Sequence, residues 1–137
     1  LCDFFVKYHN TNPYTFKHRN TETGYIYIID CDTQSAKGDF AFKFLINKLN
    51  FFVDKILKNS FVDYAQIVKW PEGEWQEEHF DFQHQSLTSV LNLNDDYEGG
   101  ETVVDDKIIK PKKGKIILFN GTQTKHLGQD ILMLLGM

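Results

Sequence analysis

The chain has 137 residues, of which 42% are apolar and 25% charged, with 12 Phe, a make-up that fits one folded domain and excludes disordered and collagen-like classes. Its formal net charge of −4 provides no global field to draw it onto phosphate backbones or anionic lipid, so nucleic acid is not an expected partner. No run approaches the roughly 18 to 20 apolar residues of a bilayer span, which argues against a transmembrane helix.

Leu1 to Tyr8 is a short amphipathic segment with Leu1, Phe4, Phe5 and Tyr8 at helical spacing, and the polar stretch Asn10 to Gly24, with Asn12-Pro13, reads as a loop. Cys2 and Cys31 lie in neither a CxxC nor a CxH pattern. Both are expected to be plain thiols, which weakly favours a reducing, cytoplasmic compartment. Tyr25 to Ile29 is β-branched and aromatic, runs into the turn formers Asp30 to Gly38, and reads as a strand. From Asp39, an expected N-cap, Phe42, Leu45, Ile46, Leu49, Phe52, Val53, Ile56 and Leu57 follow the i, i+3, i+4, i+7 rule, predicting a long helix to Lys58-Asn59. Its apolar stripe requires a sheet to cover it.

Beyond Ser60 the chain becomes a series of short strand-like runs: Phe61 to Trp70, His79 to His84, Ser86 to Leu93, Glu101 to Val104, Lys107 to Ile109, Lys115 to Phe119 and Ile131 to Leu135. Turn formers separate them, among them Pro71-Glu72-Gly73, Gly99-Gly100, Lys112-Lys113-Gly114 and Asn120-Gly121. That cadence predicts an antiparallel sandwich or barrel rather than a βαβ fold.

Chemistry concentrates on His79-Phe80-Asp81. On a strand, His79 and Asp81 would share one face, with Phe80 and Phe82 on an oily opposite face. An imidazole and a carboxylate side by side make two thirds of the facial triad that holds non-haem Fe(II), and His126, after the apolar run Lys115 to Phe119, is the candidate for the third ligand. The remaining histidines have plainer readings: His84 is expected to point away from the metal, and His9 and His18 to lie solvated at the surface. Glu77-Glu78 reads as a solvated acidic pair, and Trp70 and Trp75 as core or pocket wall.

Trp70-Pro71-Glu72-Gly73, then His79-Phe80-Asp81, then Leu91 to Thr102 with its Leu93-Asn94-Asp95 and Gly99-Gly100-Glu101-Thr102, then Pro111 to Phe119, then His126, resembles in order and spacing the Fe(II)/2-oxoglutarate dioxygenases of the prolyl 4-hydroxylase type. The resemblance runs from Phe61 to His126. It implies a mostly β fold with flanking α, a double-stranded β-helix (jelly-roll, cupin-like) barrel with one long helix packed on a sheet. It also implies one domain over 1–137, with support from 1–60 and a jelly-roll core from 61–137. His79, Asp81 and His126 would be metal ligands and catalytic residues, with Gln76, Leu91 and Leu118 beside the co-substrate. The implied cofactors are Fe(II), 2-oxoglutarate and ascorbate as the reductant that rescues the iron. The implied reaction hydroxylates a C–H bond of a peptide or protein, with a prolyl residue as the family default, and releases succinate and CO2. Both histidines must be neutral to coordinate, so metal affinity is expected to fall below about pH 6 to 6.5.

The resemblance departs at the end of the chain. Relatives carry a Lys or Arg about ten positions after the distal histidine, which pairs with the far carboxylate of 2-oxoglutarate. Leu127 to Met137 contain neither, and Gln76 stands where many relatives have a co-substrate tyrosine. This last strand is therefore atypical. A shifted reading frame at Gly128-Gln129-Asp130 would encode a basic residue, making a frameshift or truncation one explanation. Two alternatives stay open: an impaired jelly-roll binding module that keeps the triad, and a Zn(II) or cupin-type site using the same side chains. Oligomeric state is not legible.

Overall fold

A computed structural model of the chain describes residues 1–13, 15–20, 24–32, 40–128 and 132–136. The described elements are α1 (Cys2–Thr11), β1 (Phe16–Asn20), β2 (Gly24–Asp32), α2 (Phe40–Ile56), β3 (Tyr64–Lys69), β4 (Gln76–His79), β5 (Thr88–Asn92), β6 (Thr102–Val104), β7 (Lys107–Ile109), β8 (Ile116–Phe119), β9 (His126–Gly128) and β10 (Leu132–Gly136). The fold is mostly β with helical support at the N-terminal side.

The strands form two antiparallel sheets, one of six strands in the order β1-β2-β3-β10-β5-β8 and one of four in the order β4-β9-β6-β7. Period-2 alternation divides the six-stranded sheet into two working faces. Ala65 and Ile67 of β3 and Leu91 of β5, with Leu93 beyond it, join Phe5 of α1 and Ile46 and Val53 of α2 in one core between helices and sheet. The alternate residues Val90, Ile117 and Phe119 form a second core with Val104 and Ile109, between the two sheets. All five residues of β5 are buried, because it is covered on both sides.

Three residues beyond α2, Asn59 takes a left-handed φ of 61°, a conformation that Asn tolerates better than most residues and that keeps the helix from continuing. The Asp54 carboxylate accepts from the Asn59 amide at 2.8 Å, and Asn50 Oδ1 accepts from Val62 N at 2.7 Å. The helix end is thereby tied to the entry of β3. The expected N-cap, Asp39, lies outside the described residues.

Several expectations are corrected. The stretch read as a loop from Asn10 to Gly24 contains β1, which pairs with β2 from Phe16↔Ile28 to Asn20↔Gly24; the polar composition of Lys17, His18 and Arg19 suits an edge strand, where ladder hydrogen bonds outweigh hydropathy. The strand expected over His79 to His84 ends at His79. Phe80 and Phe82, expected on the oily opposite face of that strand, lie beyond it and are 50% and 66% exposed. His9, expected at the surface, is 3% exposed on the inner side of α1. Gly99 and Gly100 do take positive φ, 81° and 71°, as the turn before β6 requires.

Candidate metal centre

β4 and β9 pair so that His79 stands directly opposite His126. Opposed residues in an antiparallel pair bring their side chains to one face about 5 Å apart, and the two imidazoles meet with ring centroids 4.2 Å apart. Asp81 reaches the same point by another route. The register is irregular between Gln76 and His79, and beyond the strand the Asp81 amide donates to the Gly121 carbonyl at 2.8 Å. That bond turns the carboxylate back toward the histidines. Its Oδ1 lies 3.3 Å from His126 Nε2 and 3.7 Å from His79 Nε2. One donor atom from each residue lies within 4.8 Å of the other two.

The rest of the surroundings fix orientation. His79 Nδ1 donates to the Glu77 carbonyl at 2.8 Å, and His126 Nδ1 donates to the Thr124 carbonyl at 3.0 Å. In the neutral form, with the proton held on Nδ1, each ring presents an Nε2 lone pair on the Asp81 side, the tautomer a metal ligand needs; protonated His126 donates from Nε2 to Asp81 instead. The Thr88 hydroxyl donates to Asp81 Oδ2, leaving Oδ1 for the site. Phe119 closes one wall against His126, with ring centroids 4.6 Å apart. Gly121 is present because nothing larger fits: a Cβ there would sit 2.6 Å from both Asp81 Cγ and Thr88 Oγ1.

Electrostatics distinguishes the two histidines. Burial disfavours the charged form of His79 and, with the neighbouring His126, lowers its pKa, although the Glu77 carbonyl acts in the opposite sense. Burial also opposes charge on His126, but hydrogen bonds to Asp81 and Thr124 and the Asp81 charge outweigh it and raise its pKa. Burial pushes the Asp81 carboxyl up, yet hydrogen bonds from His126 and Thr88 and the two imidazoles bring it below the usual range. Two lone pairs and a carboxylate directed at one point attract a proton or a cation. The donor set of two nitrogens and one hard oxygen on one side fits a divalent metal with open positions opposite.

Residues 65–132, about half the chain, match the model of the 2OG-Fe(II) oxygenase superfamily. The chain belongs to that superfamily.

Solved structures agree in fold. An oxidoreductase of the 2OG-Fe(II) oxygenase family from Burkholderia pseudomallei superposes with a TM-score of 0.75 at 15% identity, covering 98% of this chain and 76% of its own. A Pseudomonas putida prolyl-4-hydroxylase gives 0.68 at 16% identity, with 99% and 86% covered. The collagen prolyl hydroxylase of Paramecium bursaria Chlorella virus-1, solved as a 2OG complex, gives 0.63 at 17% identity, with 99% and 90% covered. No curated protein matches in sequence.

Among the residues the sequence placed beside the oxygenase co-substrate, Gln76 is at the centre, its side-chain nitrogen 3.3 Å from His79 Nε2. Leu91 and Leu118 are not. They lie on the other face of the six-stranded sheet, Leu91 in the helix-side core and Leu118 54% exposed. Adjacent strand residues point to opposite faces, so the wall facing the centre is made by Val90, Ile117 and Phe119 instead. His84 stands apart from the triad, as expected, bonded to Asp63 at 2.8 Å. Thr88 and Gly121 were missed: Gly121 had been accounted for as a turn former and Thr88 as an ordinary strand residue, and only the fold shows that both cradle Asp81.

Proposed function

We propose that His79, Asp81 and His126 hold Fe(II) and that the chain hydroxylates a C–H bond of a peptide or protein, with a prolyl residue as the favoured target. The observation that carries this reading is the convergence of the three donor atoms, with both histidines fixed at Nδ1 by backbone carbonyls. Fe(II) held in this way supplies the oxidation: with O2 and 2-oxoglutarate, one oxygen atom goes to the substrate as hydroxyl and the other to succinate, with loss of CO2. The protein's own contribution is placement. Thr88 and Gly121 aim Asp81, the carbonyls of Glu77 and Thr124 hold the Nδ1 protons, and Phe119 with Ile117 and Val90 keeps the inner side apolar.

A peptide substrate is supported by the rim. Phe80, between His79 and Asp81, and Trp75, shortly before them in sequence, are 50% and 38% exposed, and Lys125 stands 5.9 Å over the Phe80 ring while pairing with Glu78 at 3.3 Å. Exposed aromatic rings beside exposed carboxylates suit an extended chain with apolar and basic side chains. The two prolyl hydroxylase neighbours point the same way.

The test is succinate release from 2-oxoglutarate with Fe(II), scored against a library of proline-containing peptides, with Asp81→Ala as the control. Product that is iron-dependent and absent from the control supports the proposal. The sequence of β10 favours a second reading, because none of Leu132 to Gly136 is basic: a metal-binding module without turnover would retain iron after anaerobic purification and release no succinate. Zinc in place of iron would indicate a hydrolytic or cupin-type site.

A further inference from the structure

Ladder register orders the space between the sheets into rows. On the inner face of the six-stranded sheet, Thr88 pairs with Phe119 and Val90 with Ile117. The same register continues to Asn92, whose amide donates to the Lys115 carbonyl at 3.0 Å, while Gly114 N donates to the Asn92 carbonyl at 2.9 Å. The Thr88–Phe119 row carries the metal centre, through Thr88 on Asp81 and Phe119 on His126. The Asn92–Lys115 row is the far end, four residues and about 13 Å along the strands. On the intervening strand β10, the positions paired with Asn92, Val90 and Thr88 are Leu132, Leu134 and Gly136, none of them basic.

Lys115 brings a positive charge to that far end from the opposite side. Counting back from Phe119 and Ile117 by twos places it on the inner face. Its Nζ donates to the Lys110 carbonyl at 2.7 Å, just beyond Ile109 of the other sheet, so the ammonium bridges the two sheets over the end of the shared core. Lys107, which shares this face through Val104, is exposed on the outermost strand of the small sheet. Thr102 supplies a second polar group. It pairs with Ile109, is 3% exposed, and its hydroxyl has no hydrogen-bond partner among the described residues. A buried hydroxyl left unbonded is costly, and a polar ligand atom that reached it would relieve that cost.

We propose that Lys115, assisted by the Thr102 hydroxyl, binds the distal carboxylate of the 2-oxo acid, replacing the basic residue that β10 lacks. The inference rests on the proposed metal centre. A lysine side chain extends about 6 Å and a five-carbon dicarboxylate about 5 Å, so the ammonium has to swing along the strands toward the metal centre to meet the carboxylate. That swing exchanges the neutral Lys110 carbonyl for a carboxylate, the stronger acceptor.

The experiment is an anaerobic titration of the Fe(II)-loaded protein with 2-oxoglutarate and with 2-oxopentanoate, which has the same chain length but no distal carboxylate. Binding is read from the visible absorption of the metal–2-oxo-acid complex and by calorimetry. The wild type should prefer 2-oxoglutarate by about tenfold to hundredfold. Lys115→Ala should abolish that preference and leave 2-oxopentanoate binding unchanged, Lys115→Arg should retain it, and Thr102→Val should reduce it severalfold. A wild type with no preference, or a preference that survives Lys115→Ala, overturns the inference while leaving the metal centre standing. Failure of both acids to bind the metal-loaded protein removes the oxygenase reading itself, and the anchor with it.

Discussion

The six-stranded sheet is covered on both sides along β5, every residue of which is buried, whereas the four-stranded sheet is built from strands of three or four residues, with Ile108 71% exposed on its outer side. The larger sheet also carries the helices, through Ile46, Ile67 and Leu93, all at 0% exposure. The smaller carries the chemistry, since His79 and His126 face each other across β4 and β9. The two histidines and the helix-side core therefore lie on different sheets, with Thr88 of β5 and Phe119 of β8 reaching from the larger sheet to Asp81 and His126. Removing a ligand should therefore leave the helix-side core closed, and weakening that core at a residue facing the helices should leave the ligands in place.

The sharpest way to test that separation is to remove the shared acid. Asp81→Ala should abolish iron-dependent turnover, with metal affinity reduced by more than about 100-fold, while circular dichroism and the urea midpoint stay close to wild type. The converse variant, Ile67→Ala, should cost about 2 to 5 kcal/mol of unfolding free energy in urea yet leave the metal bound per folded molecule unchanged. Gly121→Ala should break the separation from within: its Cβ meets Asp81 and Thr88, so metal affinity measured by competition with a chelator should fall by about 10- to 100-fold.

Smaller effects test how the acid is held. Lowering pH should weaken metal binding, because protons compete for both Nε2 atoms; the raised pKa of His126 makes that competition begin at higher pH than for an ordinary imidazole, and burial of His79 defers its own share to lower pH. Each competing proton costs about tenfold in affinity per pH unit below the pKa of its histidine, and potentiometry should record proton release on metal addition. Thr88→Val, which removes only the hydroxyl that orients Asp81, should lower affinity by about tenfold or less.

Much of this was legible in the sequence. The periodic apolar residues of α2 and the punctuated short runs after Ser60 predicted a helix followed by antiparallel strands, and His79, Asp81 and His126 were named from residue type and order. The edge strand β1 was hidden because Lys17, His18 and Arg19 carry no apolar alternation, and its pairing with β2 is a backbone property. Leu91 and Leu118 were placed on the wrong face because a motif gives position along a strand, whereas the face depends on a register set by strands far apart in sequence. Asp81 was read as part of a strand, and its aim comes instead from a backbone bond to Gly121, forty residues away along the chain. The basic residue that relatives carry after the distal histidine is absent from the sequence itself, and β10 is Leu, Met and Gly.

The most direct measurement is X-ray absorption at the iron edge of the anaerobically loaded protein. Two imidazole nitrogens and one carboxylate oxygen at about 2 Å, with imidazole scattering reduced by half in His126→Ala, is the expected result. A first shell without histidine scattering, or one that His126→Ala leaves unchanged, would contradict the assignment of the metal centre.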